Sequence, residues 1–232
     1  MNYNAVRICL FAIFPLLVLA GVFWGYLGFN IPPLNGAVSA EELSEHFITH
    51  QTRLKIAYGV AIPSWSLLMV WSVGVFGVMR RIEGPNGVYS YVQLVGGALT
   101  TLVPSLATVF LLVAAYRPEA DPQIIRMLFD ASWLMIDLVF GVTTIQYLAI
   151  AAVFVADKRP VRIVPSWVSW LGVLIGIEFV MELIMPFFRS GPFSWSGVFN
   201  YWIPFFGPFI WMMILTCYLL SGINRLEAED AS

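Results

Sequence analysis

Apolar residues dominate this chain in six long runs, separated by short segments where most of the Lys and Arg residues collect. A run of about 20 apolar residues matches the roughly 30 Å hydrocarbon core of a bilayer. Helices satisfy their own backbone hydrogen bonds in lipid, whereas an open strand edge does not. The pattern therefore predicts an all-α, polytopic membrane helical bundle, a single domain over residues 1–232, whose six transmembrane helices lie at about 8–30, 54–79, 89–115, 131–156, 163–187 and 198–222.

The longest connection, which follows the first span, contains a further helix signal. Ser39 with Glu42 three residues later matches a capping box, the usual start of a helix. Leu43, Phe47 and Ile48 then place apolar side chains near one face. We expect a short helix that lies on the outer membrane surface or covers the bundle.

Composition excludes several classes of protein. Hydrophobic residues make up 59% of the chain and charged residues only 11%, whereas soluble domains contain about 25% charged residues. Lys plus Arg (12) nearly balance Asp plus Glu (14), so no basic face is offered to nucleic acid. Cys9 and Cys217 are isolated and match no metal or redox motif. The expected surroundings are the lipid bilayer.

The first apolar run has two interpretations. Arg7 followed by an apolar core and the triplet at 18–20 resembles a cleavable signal peptide. The apolar character continues through Phe23, Trp24 and Phe29, which favours a full membrane span that is not cleaved.

The connections between spans predict the orientation. Basic residues in short cytoplasmic loops set the topology of membrane proteins. Tight clusters occur at Arg80-Arg81 and at Lys158, Arg159 and Arg162, in loops on the same side as both chain ends. We therefore expect a plasma (inner) membrane protein with both termini in the cytoplasm.

Three carboxylates interrupt the apolar runs: Asp137 in the fourth, and Glu178 and Glu182 in the fifth. A charge at the bilayer centre costs at least about 2.5–3.5 kcal/mol, so such residues are candidates for function. Glu178 and Glu182 are four residues apart, which in an α-helix places them on one face, about 6 Å apart along the axis. We expect the three to share an acidic cavity that opens toward the outer face and binds a ligand or a proton. The alternative is a packing role, in which they hydrogen-bond hydroxyl groups of neighbouring helices such as those of Thr100, Thr101, Ser105, Thr143, Thr144 and Tyr147.

Asp130 and Trp133 lie near Asp137 on the predicted fourth helix. Asp130 is seven residues earlier on nearly the same face and could extend an acidic path outward. It could equally form a surface ion pair with Arg126, four residues back. Trp133, with Trp170 and Trp202, could line an apolar or cation-binding wall, or belong to an interfacial aromatic belt.

The two histidines, His46 and His50, are four residues apart on the predicted outer helix. This spacing would allow them to hold a divalent metal ion such as Zn²⁺, with carboxylates from elsewhere. The alternative is that both are solvated beside neighbouring Glu residues. Apart from this possible metal, no cofactor is expected.

Three functions stay open at this level. The first is binding or carrying an apolar or amphiphilic small molecule, with possible proton coupling, through Asp137, Glu178 and Glu182. The second is an intramembrane acid/base enzyme, for example an isomerase, that acts on a lipid-like substrate. The third is a structural subunit of a larger membrane complex, a homo- or hetero-oligomer, for which Gly96-Gly97 would allow close helix contact. The chain has no known catalytic motif that would decide between them.

Overall fold

A computed structural model of the protein describes residues 2–231. The chain is 79% helical, and no strand occurs in that range. A short surface helix, Ala40–Thr49, lies between the first two of six long apolar helices. These six, hereafter the first to sixth spans, are Tyr3–Leu27, Gln51–Glu83, Val88–Tyr116, Pro122–Val155, Ser166–Phe187 and Val198–Asp230. The predicted all-α membrane bundle is confirmed.

The surface helix begins as its capping box predicts. Ser39 Oγ accepts a hydrogen bond from the backbone N–H of Glu42, whose carboxylate accepts one from the backbone N–H of Ser39. Leu43 and Phe47 are buried, and the helix packs against the start of the fourth span. Ile48 is exposed instead, because five residues of α-helix turn it about 140° away from Leu43.

Both ends of the chain lie on the same side of the bundle, hereafter the termini side. The Tyr3 hydroxyl donates to the backbone oxygen of Leu226, at 3.2 Å, and to the carboxylate of Asp230. Arg7 forms an ion pair with Glu227. The surface helix and the connections before the fourth and sixth spans lie on the opposite side, hereafter the far side.

Polar side chains inside the bundle join the spans. Gln93 Nε2 donates to Ser72 Oγ at 2.7 Å, and Trp71 Nε1 donates to Thr216 Oγ1 at 2.8 Å. The second and third spans approach so closely that a Cβ atom on Gly97 would lie 2.0 Å from Ser72 Oγ. Small residues and interhelical hydrogen bonds of this kind hold helices together in lipid, where apolar contacts alone give no preference.

Several spans depart from α-helical geometry, and they do so from the middle of the bundle toward the far side. Non-helical backbone inside a membrane is tolerated only where it is buried in protein or lines a cavity. Segments of π-helix inside α-helices are frequent at functional sites. The larger departures are π-helical segments at Ala20–Leu27 and Val198–Trp202, a 3₁₀ segment at Phe179–Phe187, and an interruption of the fourth span at Val139 and Phe140. Single-residue breaks also occur at Ala12 in the first span and at Trp65 in the second.

Candidate ligand-binding site

Asp137 lies in the fourth span, just before its helix is interrupted at Val139 and Phe140. Its side chain is only 3% exposed, and Oδ2 has no hydrogen-bond partner in the protein. A buried polar atom without a partner costs free energy unless a ligand, water or proton compensates it. Asp137 is therefore a candidate for chemistry rather than for packing.

Glu182 is buried as deeply as Asp137, but its segment of the fifth span is not the α-helix that the sequence predicts. The α-helical part of the fifth span ends at Glu178, and Glu182 belongs to the 3₁₀ segment that follows. Side chains four residues apart lie about 40° apart around an α-helix. In a 3₁₀-helix they lie about 120° apart. Glu182 is 4% exposed, both carboxylate oxygens of Glu178 are buried without a hydrogen-bond partner, and the two side chains interact electrostatically. The stacked acidic pair that their spacing predicts stays a prediction.

Asp137 and Glu182 line one cavity of about 80 Å³ between the fourth, fifth and sixth spans, hereafter the acidic cavity. The two carboxylates are close enough to interact electrostatically, and Glu178 interacts with Glu182 from outside the lining. No Lys, Arg or His of residues 2–231 lines the cavity. The predicted Trp133 also lines the cavity. The remaining lining residues are Ile136, Phe140, Thr143, Phe179, Asn200, Tyr201, Pro204 and Phe205.

Polar atoms without protein partners gather at this cavity. The acceptors are Asp137 Oδ2, Glu182 Oε2 and Asn200 Oδ1, and the donor is Trp133 Nε1. Asn200, 3% exposed, is oriented by its own amide nitrogen, which donates to the backbone oxygen of Phe193. Such atoms are few in folded proteins. The four that belong to this lining provide three acceptors and one donor for a polar ligand.

The neighbouring hydroxyl groups do not satisfy the carboxylates. Thr100 and Thr143 hydrogen-bond each other at 3.1 Å, and Thr144 donates to the backbone oxygen of Gly176 at 2.9 Å. Two more donate to carbonyl groups of their own helix, namely Thr101 and Ser105. Five of the six hydroxyl groups considered as partners are therefore bonded elsewhere, and none of these five hydrogen-bonds Asp137 or Glu182.

A second cavity of about 130 Å³ adjoins the first, hereafter the apolar cavity. The two have five lining residues in common: Ile136, Thr143, Phe179, Pro204 and Phe205. Most of its remaining walls are apolar or aromatic, including Trp65, Leu68, Pro104, Phe209 and Met212. A polar chamber and an apolar chamber that touch suit a molecule with one polar and one apolar end.

Aromatic side chains connect the acidic cavity to the far side. The rings of Trp133 and Trp195 are stacked with centroids 6.3 Å apart, and Trp195 Nε1 donates to the backbone oxygen of Leu34 at 3.1 Å. The Tyr201 hydroxyl donates to the backbone oxygen of Asn30. The two longest far-side connections thus both contact aromatic residues that line the cavity or pack on its lining.

Asp130 and two of the predicted tryptophans lie outside both cavities. Asp130 Oδ2 is 4.0 Å from Arg126 Nε, the surface ion pair that the i, i+4 spacing allows. Trp170 is 56% exposed and Trp202 44% exposed on the outer surface of the bundle. The exposure of these two tryptophans matches an interfacial aromatic belt.

His46 and His50 lie side by side on the surface helix, with ring centroids 4.8 Å apart, and both pack on Phe29. The guanidinium of Arg53 lies 3.9 Å from the Phe29 ring centroid. Burial, His50 and Arg53 together lower the pKa of His46 to about 4. Among residues 2–231, no three His, Cys, Asp or Glu residues are grouped to hold a metal ion. A divalent metal at the two histidines stays a prediction.

Comparison of the chain with protein-family models, with curated proteins and with solved structures found no match. Its class is therefore defined by the fold and the site. The protein is an integral membrane helical bundle whose interior contains two adjoining cavities, one of them acidic.

Two polar contributors to the site were missed in the sequence, Asn200 and Tyr201, both in the π-helical start of the sixth span. Asn200 gave a usable signal, because an Asn inside an aromatic membrane segment is itself rare and costly. Tyr201 gave none, since an interfacial Tyr is common.

Proposed function

We propose that this protein binds or carries a small amphiphilic molecule through the acidic and apolar cavities, with coupling to protons. One observation carries the proposal. Asp137 and Glu182, supplied by two different spans, line a single buried cavity, and each has a carboxylate oxygen without a protein partner. Buried ionisable groups of this kind in membrane proteins mark ligand or proton pathways.

The ionisable groups that face the acidic cavity support proton coupling. The fourth span contributes Asp137, and the fifth contributes Glu182 with Glu178 nearby. The sixth span contributes only Tyr201, whose hydroxyl donates to the backbone oxygen of Asn30. No basic side chain of residues 2–231 lines either cavity to balance an ionised carboxylate. A carboxyl group that loses its proton there needs a cation from outside, so ligand binding and proton release are linked.

The backbone supports a carrier. Discontinuous helices with a binding site near the membrane interior are typical of transporters, because broken helices can move and expose polar groups. Here the fourth, fifth and sixth spans all depart from α-helical geometry beside the cavity that they enclose.

The alternatives have less support. Drug-sized ligand sites occupy about 300–1,000 Å³. The two cavities measure about 80 and 130 Å³, which favours a small ligand over the lipid-like substrate of an intramembrane enzyme. One argument for the subunit hypothesis was a free glycine face. Gly96 and Gly97 instead contact Gln146 and Ser72 within the chain.

The proposal is tested by ligand-induced stabilisation of the purified full-length protein in mild detergent. The panel is n-hexylamine, n-hexanol and hexanoate, each at pH 5.5 and pH 8. We expect at least one compound to raise the melting temperature of the wild type, and to do so differently at the two pH values. Asp137→Asn and Glu182→Gln keep the side-chain shape but remove the charge, so each should abolish this pH dependence.

The matched control is Asp130→Asn, which removes a carboxylate from the same helix as Asp137 but outside both cavities. It should behave as the wild type does. Unchanged ligand and pH dependence in both Asp137→Asn and Glu182→Gln would show that the acidic cavity is not the binding site.

A further inference from the structure

We infer that the ligand is a small primary amine, held by its ammonium group in the acidic cavity and by a short apolar group in the apolar cavity. The inference rests on the proposed function and specifies the chemical class of the ligand.

The three acceptor atoms of the acidic cavity match a primary ammonium, which leaves its one donor, Trp133 Nε1, without a partner from the ammonium group. Its lining holds three buried acceptor atoms without partners, Asp137 Oδ2, Glu182 Oε2 and Asn200 Oδ1. A primary ammonium has three N–H donors and no acceptor. A quaternary ammonium has no donor and would leave all three acceptors unsatisfied. Asn200 supports the match independently of the acids, because it is neutral and 3% exposed.

The charge of the site also selects a cation. Asp137 and Glu182 line the cavity, Glu178 lies nearby on the fifth span, and Tyr201 is the titratable group from the sixth. The first, second and third spans contribute no charged side chain to either cavity. Arg126 and Asp130 form an ion pair with each other outside the lining. An anionic ligand would therefore meet only acidic groups, whereas a cationic ligand supplies the positive charge that the lining of the cavities lacks.

The proton balance follows from the same groups. Without a cation, the pair Asp137 and Glu182 is neutral when each carboxyl group keeps its proton. When R–NH₃⁺ enters, one carboxyl group loses its proton to the solvent and becomes the counter-ion, while the other stays protonated. One proton is released for each ammonium bound, and the net charge of the site is unchanged.

The walls and dimensions restrict the rest of the molecule. Trp133, Tyr201 and Phe205 line the acidic cavity together with the carboxylates, and aromatic rings attract ammonium groups. The apolar cavity of about 130 Å³ accepts a short alkyl or a single aryl group. The inferred class is a primary amine of about the size of 2-phenylethylamine, far smaller than a two-chain lipid.

The test compares three compounds with the same aromatic body by isothermal titration calorimetry on the purified protein. They are 2-phenylethylamine, its N,N,N-trimethyl derivative and 2-phenylethanol. Charge-assisted hydrogen bonds should make the primary amine bind about tenfold or more tightly than either analogue. Titrations in two buffers of different ionisation enthalpy should give release of about one proton per amine.

Variants connect that binding to the site. The double variant Asp137→Asn with Glu182→Gln should lose both amine binding and proton release, whereas Asp130→Asn should retain both. The comparison among compounds needs only the wild type, so it decides the inference even if the double variant fails to fold.

The outcomes separate the two levels of the proposal. If the trimethyl compound or the alcohol binds as tightly as the amine, and binding still needs Asp137 and Glu182, the amine inference is wrong and the proposed function stands. The same holds if n-hexylamine and 2-phenylethylamine both fail to bind while n-hexanol or hexanoate binds. If no compound binds in either experiment, both the inference and the proposed function are wrong.

Discussion

Asp137, Glu178 and Glu182 carry the same chemical group but have different surroundings. Asp137 and Glu182 are almost fully buried and line one cavity, whereas Glu178 lies outside the lining, with both carboxylate oxygens buried and without a hydrogen-bond partner. The sequence treats all three alike, since each interrupts an apolar run. Only the local helix geometry separates the cavity-lining pair from their neighbour.

A prediction at the residue scale concerns His46 and mild acid. The pKa of His46 in the folded protein is lowered to about 4, mainly by burial, whereas an unfolded His has a pKa of about 6.5. Between these values the unfolded chain binds more protons than the folded protein. The free energy of unfolding should therefore be highest above pH 6.5 and decrease as the pH falls toward 4.

The measurement is thermal unfolding of the wild type and of His46→Gln from pH 7.5 to pH 4.5. Other groups titrate in this range in both proteins, so the difference between the two curves isolates His46. We expect the variant to lose less stability in acid than the wild type. Parallel curves would contradict the burial of a neutral imidazole at this position.

At the scale of elements, the change from α to 3₁₀ geometry at Glu178 has the largest effect on the site. It turns Glu182 by about 80° relative to a continuous α-helix, toward the fourth and sixth spans that complete the cavity. The π-helical start of the sixth span likewise places Asn200 and Tyr201 in the lining. Irregular segments from several spans therefore build the site together.

A prediction at the scale of elements concerns the contact between the second and third spans. A Cβ atom at Gly97 would lie 2.0 Å from Ser72 Oγ and 2.7 Å from Ser72 Cβ. Gly97→Ala should therefore force the spans apart and destabilise the protein by about 1–3 kcal/mol. The decrease in the melting temperature of the purified protein measures the effect.

Gly59→Ala is the matched control, because no heavy atom lies within 4 Å of a Cβ atom there. It should leave stability unchanged or raise it by about 0.5–1 kcal/mol, since Ala is the better helix former. Equal effects of the two substitutions would show that the close approach at Ser72 is not required.

At the scale of the whole molecule, the basic clusters converge on the termini side. Arg159 donates to the backbone oxygen of Arg81 at 3.3 Å, and Arg225 donates to that of Arg162 at 3.1 Å. Basic residues in short loops favour the cytoplasmic side. We therefore predict that the termini side faces the cytoplasm.

The orientation can be measured with a membrane-impermeant maleimide and single cysteines, in a background where Cys9 and Cys217 are replaced by Ala. Asn2→Cys and Ala228→Cys should react only from the cytoplasmic side, and Ala37→Cys only from the other. The reverse pattern would contradict the predicted orientation. Reaction of Asn2→Cys and Ala228→Cys from opposite sides would contradict the fold itself.

The sequence by itself determined the membrane bundle, its six spans and the capped surface helix. These depend on local properties: the length of an apolar run against the thickness of a bilayer, and the pairing of Ser39 with Glu42 across one helical turn. It also drew attention to Asp137 and Glu182, because a carboxylate is costly in any apolar helix.

Only the tertiary structure decided which polar groups meet. The spacing of Glu178 and Glu182 predicts a shared face if the helix stays α-helical, and the helix instead becomes 3₁₀ after Glu178. Asn200 of the sixth span joins the acids of the fourth and fifth spans in one lining. Such proximity depends on how the helices cross and where they are interrupted, which follows from contacts among all the spans rather than from the pattern of any one.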